Sequence, residues 1–204
     1  MPSMKRPTAL FTFVVMRTTA KAAFTAALII ATMWPVGAAT AAASPPEAKH
    51  CVVTGTAGQV AEASARRCFA TFRESIAFAT NGKITDAPVS PAQAMNDRDF
   101  VERLRLPAAP TPGISAEYRS LGIAYEHVNF GGGSLTFRGS VGCGWRYPEF
   151  GQLGDWNDKI SSVMPLACNR MVLYVDSDFG GASQPYGASP QLDMNDQASS
   201  VSFE

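Results

Sequence analysis

The stretch YEHVNFGGGS at residues 125–134 returns as YVDSDFGGAS at residues 174–183. Laid over one another, the two share Tyr, Phe, Gly, Gly and Ser at identical offsets. A second pair follows in the same order: NDKISSV at 157–163 and NDQASSV at 195–201 share Asn, Asp, Ser, Ser and Val. Two different signatures, each present twice, define an internal repeat, which constrains the fold before any single segment does. From Ser120 onward the sequence is rich in Gly, Phe, Tyr and Ser, with short alternating runs at 134–138 (SLTFR) and 171–175 (MVLYV). Turn residues separate these runs, and such punctuation predicts an all-β sandwich over residues 120–204.

The pattern Tyr-x-x-x-x-Phe-x-Gly, seen as Tyr125, Phe130 and Gly132 and again as Tyr174, Phe179 and Gly181, resembles the folded-hairpin signature of the βγ-crystallin Greek keys. Ser134 and Ser183 match the serine that the family places two residues beyond that glycine. The physical sense is local: an aromatic pair packs across the hairpin, and glycine takes a backbone conformation that side chains disfavour. The resemblance implies a double Greek-key sandwich of the βγ-crystallin type over 120–204.

The second signature is similar to the calcium motif of microbial members of that family, Asn/Asp-Asn/Asp-x-x-Ser/Thr-Ser, and both copies are complete. Calcium takes about six to eight hard oxygen ligands in irregular geometry, and the motif offers carboxylate, hydroxyl and carbonyl oxygens in one loop. By resemblance, Asp158 and Asp196 supply side-chain oxygens, Ser161 and Ser199 hydroxyls, and Lys159 and Gln197 backbone carbonyls. The family shares each ion between the two keys, so Asp158 completes the site of Gln197 and Ser199, and Asp196 that of Lys159 and Ser161. A further carbonyl from each hairpin is assigned to Val128 and Ser177. The expected complement is two calcium ions, bound on the order of micromolar or more weakly, since each site holds about one carboxylate. The Lys159 ammonium should weaken its site. The competing reading is that Asn-Asp and Ser-Ser only close turns, which both do readily.

The start of the chain has a different purpose. The first 43 residues contain Lys5, Arg6, Arg17 and Lys21 and no acidic residue, followed by the apolar run 22–36 and the small-residue stretch GAATAAASPP. This predicts a secretory signal peptide at 1–43, cleaved after Ala43. The apolar run is shorter than the roughly 20 residues a membrane span needs, so no membrane attachment is expected after cleavage. Four of the 17 Lys and Arg lie before residue 44, which leaves 13 against 17 Asp and Glu and a net charge of −4. That balance gives no electrostatic reason to bind nucleic acid. Cys51, Cys68, Cys143 and Cys168 all follow the signal; an even count in an exported chain reads as two disulfides. Three pairings are open, and the local pairs Cys51–Cys68 and Cys143–Cys168 are the simplest. No Cys-x-x-Cys or Cys/His spacing suited to zinc is present.

Residues 44–86 read as a small disulfide-tied β-α-β region. HCVVT at 50–54 is strand-like, and Phe69, Phe72, Ile76 and Ala79 form a helical stripe. Asn81-Gly82 stops that helix, and residues 83–85 return as a strand. Residues 87–119 read as a Pro-rich linker with one helix over 92–104, and the domain boundary falls near Pro112.

Catalysis finds little to work with. The chain has two histidines, His50 beside Cys51 and His127 within the hairpin motif, and neither shows the spacing of a general base with a nucleophile. GGGS at 131–134 lacks the Lys-Ser/Thr and helix of a phosphate loop. Trp156, directly before the second signature, is assigned to the core, and Trp145 to the core or an exposed loop. The sequence therefore predicts a secreted, non-enzymatic calcium-binding protein whose ion stabilises the fold. The alternative is a secreted peptidase inhibitor, since some bacterial metallopeptidase inhibitors share the crystallin fold and carry two disulfides; its partner would be an extracellular peptidase. A carbohydrate-binding role ranks third, because no aromatic platform is visible.

Overall fold

In the computed structural model the described residues are 49–56, 60–62, 66–108, 118–140 and 149–204. The chain divides into Met1–Ala43 and Ser44–Glu204, and every described residue belongs to the second unit. The expected signal peptide, Cys143 and Trp145 lie outside the described residues. The strands are β1 (His50–Gly55), β2 (Val60–Glu62), β3 (Arg67–Phe69), β4 (Arg119–His127), β5 (Gly131–Gly139), β6 (Glu149–Gln152), β7 (Ser162–Pro165), β8 (Met171–Tyr174), β9 (Ser183–Tyr186) and β10 (Ser200–Phe203). The helices are α1 (Phe72–Ala79), α2 (Pro91–Asn96) and α3 (Arg98–Arg105). Among the described residues no helix is long and apolar enough to cross a membrane.

The duplicated sequence folds as two interlocked Greek keys. One sheet has the order β3-β1-β5-β4-β7 and the other β2-β6-β10-β8-β9. The first repeat places β4, β5 and β7 in the first sheet but sends β6 across to pair with β10, Phe150 opposite Val201. The second repeat places β8, β9 and β10 in the second sheet, and Ser189 returns to bridge Val163 of β7. Each key thus lends a segment to the other's sheet, and the expected double Greek-key sandwich is the architecture observed.

Between the sheets, Leu121, Leu135 and Phe137 from one side meet Phe150, Leu173, Val201 and Phe203 from the other. Phe137, Phe150 and Phe203 pack edge to face, with ring centroids 4.8 to 6.0 Å apart, the arrangement their quadrupoles favour. Trp156 is buried in the same core, as expected.

The first sheet is apolar on its other face as well. Ile123, Tyr125, Phe130, Met164 and Leu166 form a second core with Phe72 and Ile76 of α1 and Phe100 and Leu104 of α3. A sheet that is apolar on both faces must be covered on both, so a helical layer lies over it. Covering has a cost at Tyr125: it is fully buried and its hydroxyl finds no partner, whereas the equivalent Tyr174 reaches Ser202 Oγ at 3.2 Å.

The described strands of the disulfide-tied region before residue 87 join the two sheets of the Greek keys. β1 runs parallel to β5, from His50 opposite Ser134 to Gly55 opposite Gly139, and β2 runs parallel to β6. Both close what would otherwise be open sheet edges with unpaired N–H and C=O groups. Cys51 and Cys68 face each other across the β1–β3 pair and are disulfide-bonded, as the simplest pairing predicts. Cys168 is also disulfide-bonded.

The local elements differ in instructive ways. Phe69 lies in β3 rather than at the start of the helix, because Thr71 and Glu74 form a reciprocal capping box that starts α1 at Phe72. Residues 83–85 carry no strand; Ile84 drops into the second core with its N–H on Thr80 Oγ1. The single helix expected at 92–104 is two helices. Asp97 breaks it with φ −90° and ψ 104°, and its carboxylate caps α3 by accepting from Phe100 N at 3.1 Å. Aspartate satisfies an orphan N–H at a cap better than it serves a helix interior. The boundary expected near Pro112 lies outside the described residues, but the chain on both sides of it shares the same sheets and cores.

Candidate metal centre

Both hairpins adopt the same folded turn. Tyr125 packs edge-on to Phe130 and Tyr174 to Phe179, each with ring centroids 5.5 Å apart. Turning the chain this tightly needs left-handed backbone at Asn129 and Phe130, and again at Asp178 and Phe179. The glycines two residues beyond each phenylalanine are likewise left-handed, Gly132 at φ 74° and Gly181 at φ 71°. A β-carbon there would come within 2.8 Å of the His127 ring or 2.4 Å of Val175 Cγ2, which is why the motif requires glycine.

The Asn-Asp-x-x-Ser-Ser loops lock onto these hairpins with near-exact duplication. The second serine ties the turn: Ser162 Oγ donates to His127 O at 2.6 Å and accepts from Phe130 N at 3.1 Å. Ser200 does the same with Asp176 O at 2.7 Å and Phe179 N at 3.0 Å. The first serine points elsewhere: Ser161 Oγ donates to Glu126 O at 2.7 Å and Ser199 Oγ to Val175 O at 2.7 Å.

The two loops also grip each other. Asp158 N donates to Ala198 O and Asp196 N to Ile160 O, both at 3.0 Å. Both aspartates are left-handed, at φ 56° and 53°. This crossing carries the Asp196 carboxylate into the first repeat, where Oδ1 lies 3.0 Å from Ser161 Oγ. The preceding asparagine holds the outer oxygen in each copy, Asn157 Nδ2 to Asp158 Oδ2 at 2.7 Å and Asn195 Nδ2 to Asp196 Oδ2 at 2.8 Å.

Carboxylate, hydroxyl and backbone carbonyl thus converge from both repeats at one point: Asp196 Oδ1, Ser161 Oγ and Glu126 O. This is a hard, oxygen-only donor set that suits calcium. Among the described residues no group of three or more His, Cys, Asp or Glu side chains is clustered for a metal; the donors here are largely neutral. A surface cavity of about 290 Å³ opens beside them, lined by Glu126, His127, Asp158, Lys159 and Asp196.

Val128 and Ser177 stand within the turns of their hairpins. The carbonyls of Val128 and Ser177 close their own turns, accepting from Gly131 N and Gly180 N. The hairpin carbonyls brought to the first serines are those of Glu126 and Val175, each one residue past the motif tyrosine. Two carbonyls before each reversal face the loop serines, Glu126 and His127 ahead of Val128–Phe130, and Val175 and Asp176 ahead of Ser177–Phe179. Ser161 and Ser199 are buried, while Asp158, Lys159, Asp196 and Gln197 are exposed at the rim.

Lys159 also borders a second cavity of about 320 Å³ with Lys49, Arg66, Glu126, Asp155, Trp156 and the Cys51–Cys68 pair; Arg66 and Asp155 form an ion pair there. His50 is a packing residue, with Nδ1 3.0 Å from Ser134 Oγ and its ring edge-on to Phe72.

Residues 124–186 match the model of peptidase inhibitor family I36. No curated protein matches the chain. Among solved structures, a βγ-crystallin from an archaeon is 25% identical, covering 42% of this chain and 98% of its own, with a TM-score of 0.33. A βγ-crystallin domain from Clostridium beijerinckii is 24% identical over 40% of this chain and 94% of its own, at 0.31. One from Flavobacterium johnsoniae is 26% identical over 40% and 91%, at 0.29. By motif and topology the duplicated region is of the βγ-crystallin type.

Proposed function

We propose that this chain is an exported, non-enzymatic calcium-binding Greek-key protein whose ions stabilise the fold. The observation that carries the reading is Ser161 Oγ, set between Glu126 O of its own repeat and Asp196 Oδ1 of the other. Asp196, Ser161, Glu126 and the Lys159 backbone would hold one ion; Asp158, Ser199, Val175 and the Gln197 backbone would hold the second. Bound calcium would cross-link the repeats and favour the native state by mass action, about 2.7 kcal/mol at a hundredfold excess over Kd. The Cys51–Cys68 disulfide supports an oxidising, extracellular setting.

The test is calorimetric titration of calcium into the chelator-stripped chain from Ser44, beside an Asp158→Ala, Asp196→Ala double variant. Two sites that vanish in the variant, with a Tm that rises with calcium, are expected. Absence of heat and of any thermal shift at about millimolar calcium would reduce the loops to turn-formers.

A second reading, a peptidase inhibitor, is favoured by the match of residues 124–186 to family I36. Stoichiometric loss of metallopeptidase activity on adding the chain would support it, whatever the calcium result.

A further inference from the structure

The cavity of about 320 Å³ beside the metal centre is assembled from parts far apart in the chain. Lys49, Arg66 and the Cys51–Cys68 disulfide come from the N-terminal strands, and Glu126, Asp155, Trp156 and Lys159 from the first repeat. The docking of β1 and β3 against the Greek keys therefore creates it. Its size falls at the lower end of small-molecule sites, about 300–1,000 Å³.

Its charges do not balance. Three cations meet two carboxylates, and both carboxylates are engaged: Glu126 Oε2 accepts from Gly133 N at 2.9 Å, and Asp155 pairs with Arg66. Lys49 and Lys159 form no ion pair among the described residues. The Arg66 side chain is 15% exposed, whereas that of its partner Asp155 is 81% exposed. A guanidinium withdrawn from water needs an anion, and a solvated surface aspartate contributes little as that anion. A carboxylate entering the cavity thus competes for Arg66 on favourable terms, since guanidinium matches carboxylate geometry. The remaining wall is apolar, formed by the buried Trp156 ring and the disulfide. An organic acid covers that wall and neutralises the single excess charge; inorganic phosphate does only the second.

Lys159 and Glu126 also line the neighbouring cavity at the metal centre, together with Asp158 and Asp196. The Lys159 ammonium, which opposes a cation there, is the same group that attracts an anion here.

We infer that this cavity binds a small organic monocarboxylate, its charge held by Lys49, Arg66 and Lys159 and its apolar part against Trp156, and that its occupancy strengthens calcium binding through Lys159. The linkage rests on the calcium-binding reading; the carboxylate site stands without it.

Benzoate is titrated into the chain from Ser44, first without calcium, by calorimetry and by the NMR shift of the Trp156 indole N–H. Benzamide and inorganic phosphate are compared. Benzoate should bind with a Kd on the order of millimolar, and the other two at least about tenfold more weakly. Lys49→Glu and Lys159→Glu should each weaken benzoate about tenfold, and Asp155→Asn should tighten it. Arg98→Glu, at the start of α3 and outside the cavity, should leave it unchanged, and all four variants should melt near the parent. Absence of binding, equal binding of benzamide, or binding that survives both lysine reversals would overturn the site. Preference for phosphate would overturn the organic-acid assignment. At saturating calcium, benzoate should bind about fivefold more tightly. An unchanged affinity would refute the linkage and leave the carboxylate site standing, and a chain that takes up benzoate but no calcium would refute the calcium reading alone.

Discussion

Replacing Arg138 tests how the N-terminal strands and helices are fastened to the Greek keys. Arg138 stands on β5 with only 9% of its surface exposed. Its Nε donates to Thr54 Oγ1 of β1 at 2.9 Å, and Nη1 to Phe78 O and Asn81 Oδ1 at the end of α1, both at 3.0 Å. The guanidinium also stacks between the rings of Phe78 and Tyr118, 4.7 and 4.6 Å from their centroids. Burial lowers its pKa, but an arginine stays charged. Each hydrogen bond from a charged donor contributes about 1.5 kcal/mol, and each cation–π contact about 0.5–1 kcal/mol. Against that stands the cost of burying a cation whose hydrogen-bond partners are all neutral, on the order of 3 kcal/mol.

Arg138→Met should therefore cost about 3 kcal/mol net, or a Tm lowered by roughly 6–12 °C for a unit of this size. Arg138→Lys keeps the charge but loses the planar fork, and should recover less than half of that loss. Urea unfolding followed by circular dichroism on the chain from Ser44 measures both. A loss below about 1 kcal/mol for Arg138→Met would show that desolvation cancels the contacts, and that the N-terminal layer is held by its apolar core alone.

Two further outcomes are expected. Burial, opposed by nearby Glu126, holds the His50 imidazole below its ordinary value of 6.5. The unfolded chain then binds the proton more readily, so His50 adds stability above that value that is lost as pH falls through the window beneath it. Denaturant unfolding at about pH 7.5 and pH 5 should show this loss shrinking in His50→Gln, and an unchanged pH dependence would remove His50 as the source. Replacing Cys51 and Cys68 with serine opens a crosslink spanning 17 residues and should cost about 3 kcal/mol; an unaltered Tm would show that the β1–β3 register holds without it.

The duplicated Tyr, Phe, Gly and Ser positions by themselves determined the hairpins and the Greek-key pairing, because tight turns leave few residues able to occupy left-handed backbone. The paired Asn-Asp-x-x-Ser-Ser loops likewise marked Asp158, Ser161, Asp196 and Ser199 as one constellation, since their chemistry is carried within six consecutive positions. Which carbonyl faces each first serine was decided only by the fold, which brings those of Glu126 and Val175 to Ser161 and Ser199 and leaves Val128 and Ser177 within the turns. The destination of residues 49–108 was decided only in three dimensions. Nothing in HCVVT at 50–54 says that it lies parallel to β5, 84 residues onward at His50 and Ser134, because strand pairing is written on neither strand alone. Tyr125 and Tyr174 occupy the same motif position, yet only Tyr125 is sealed beneath helices with its hydroxyl unsatisfied. A local motif encodes a turn; which face of a sheet is covered, and by what, depends on residues far away in the chain.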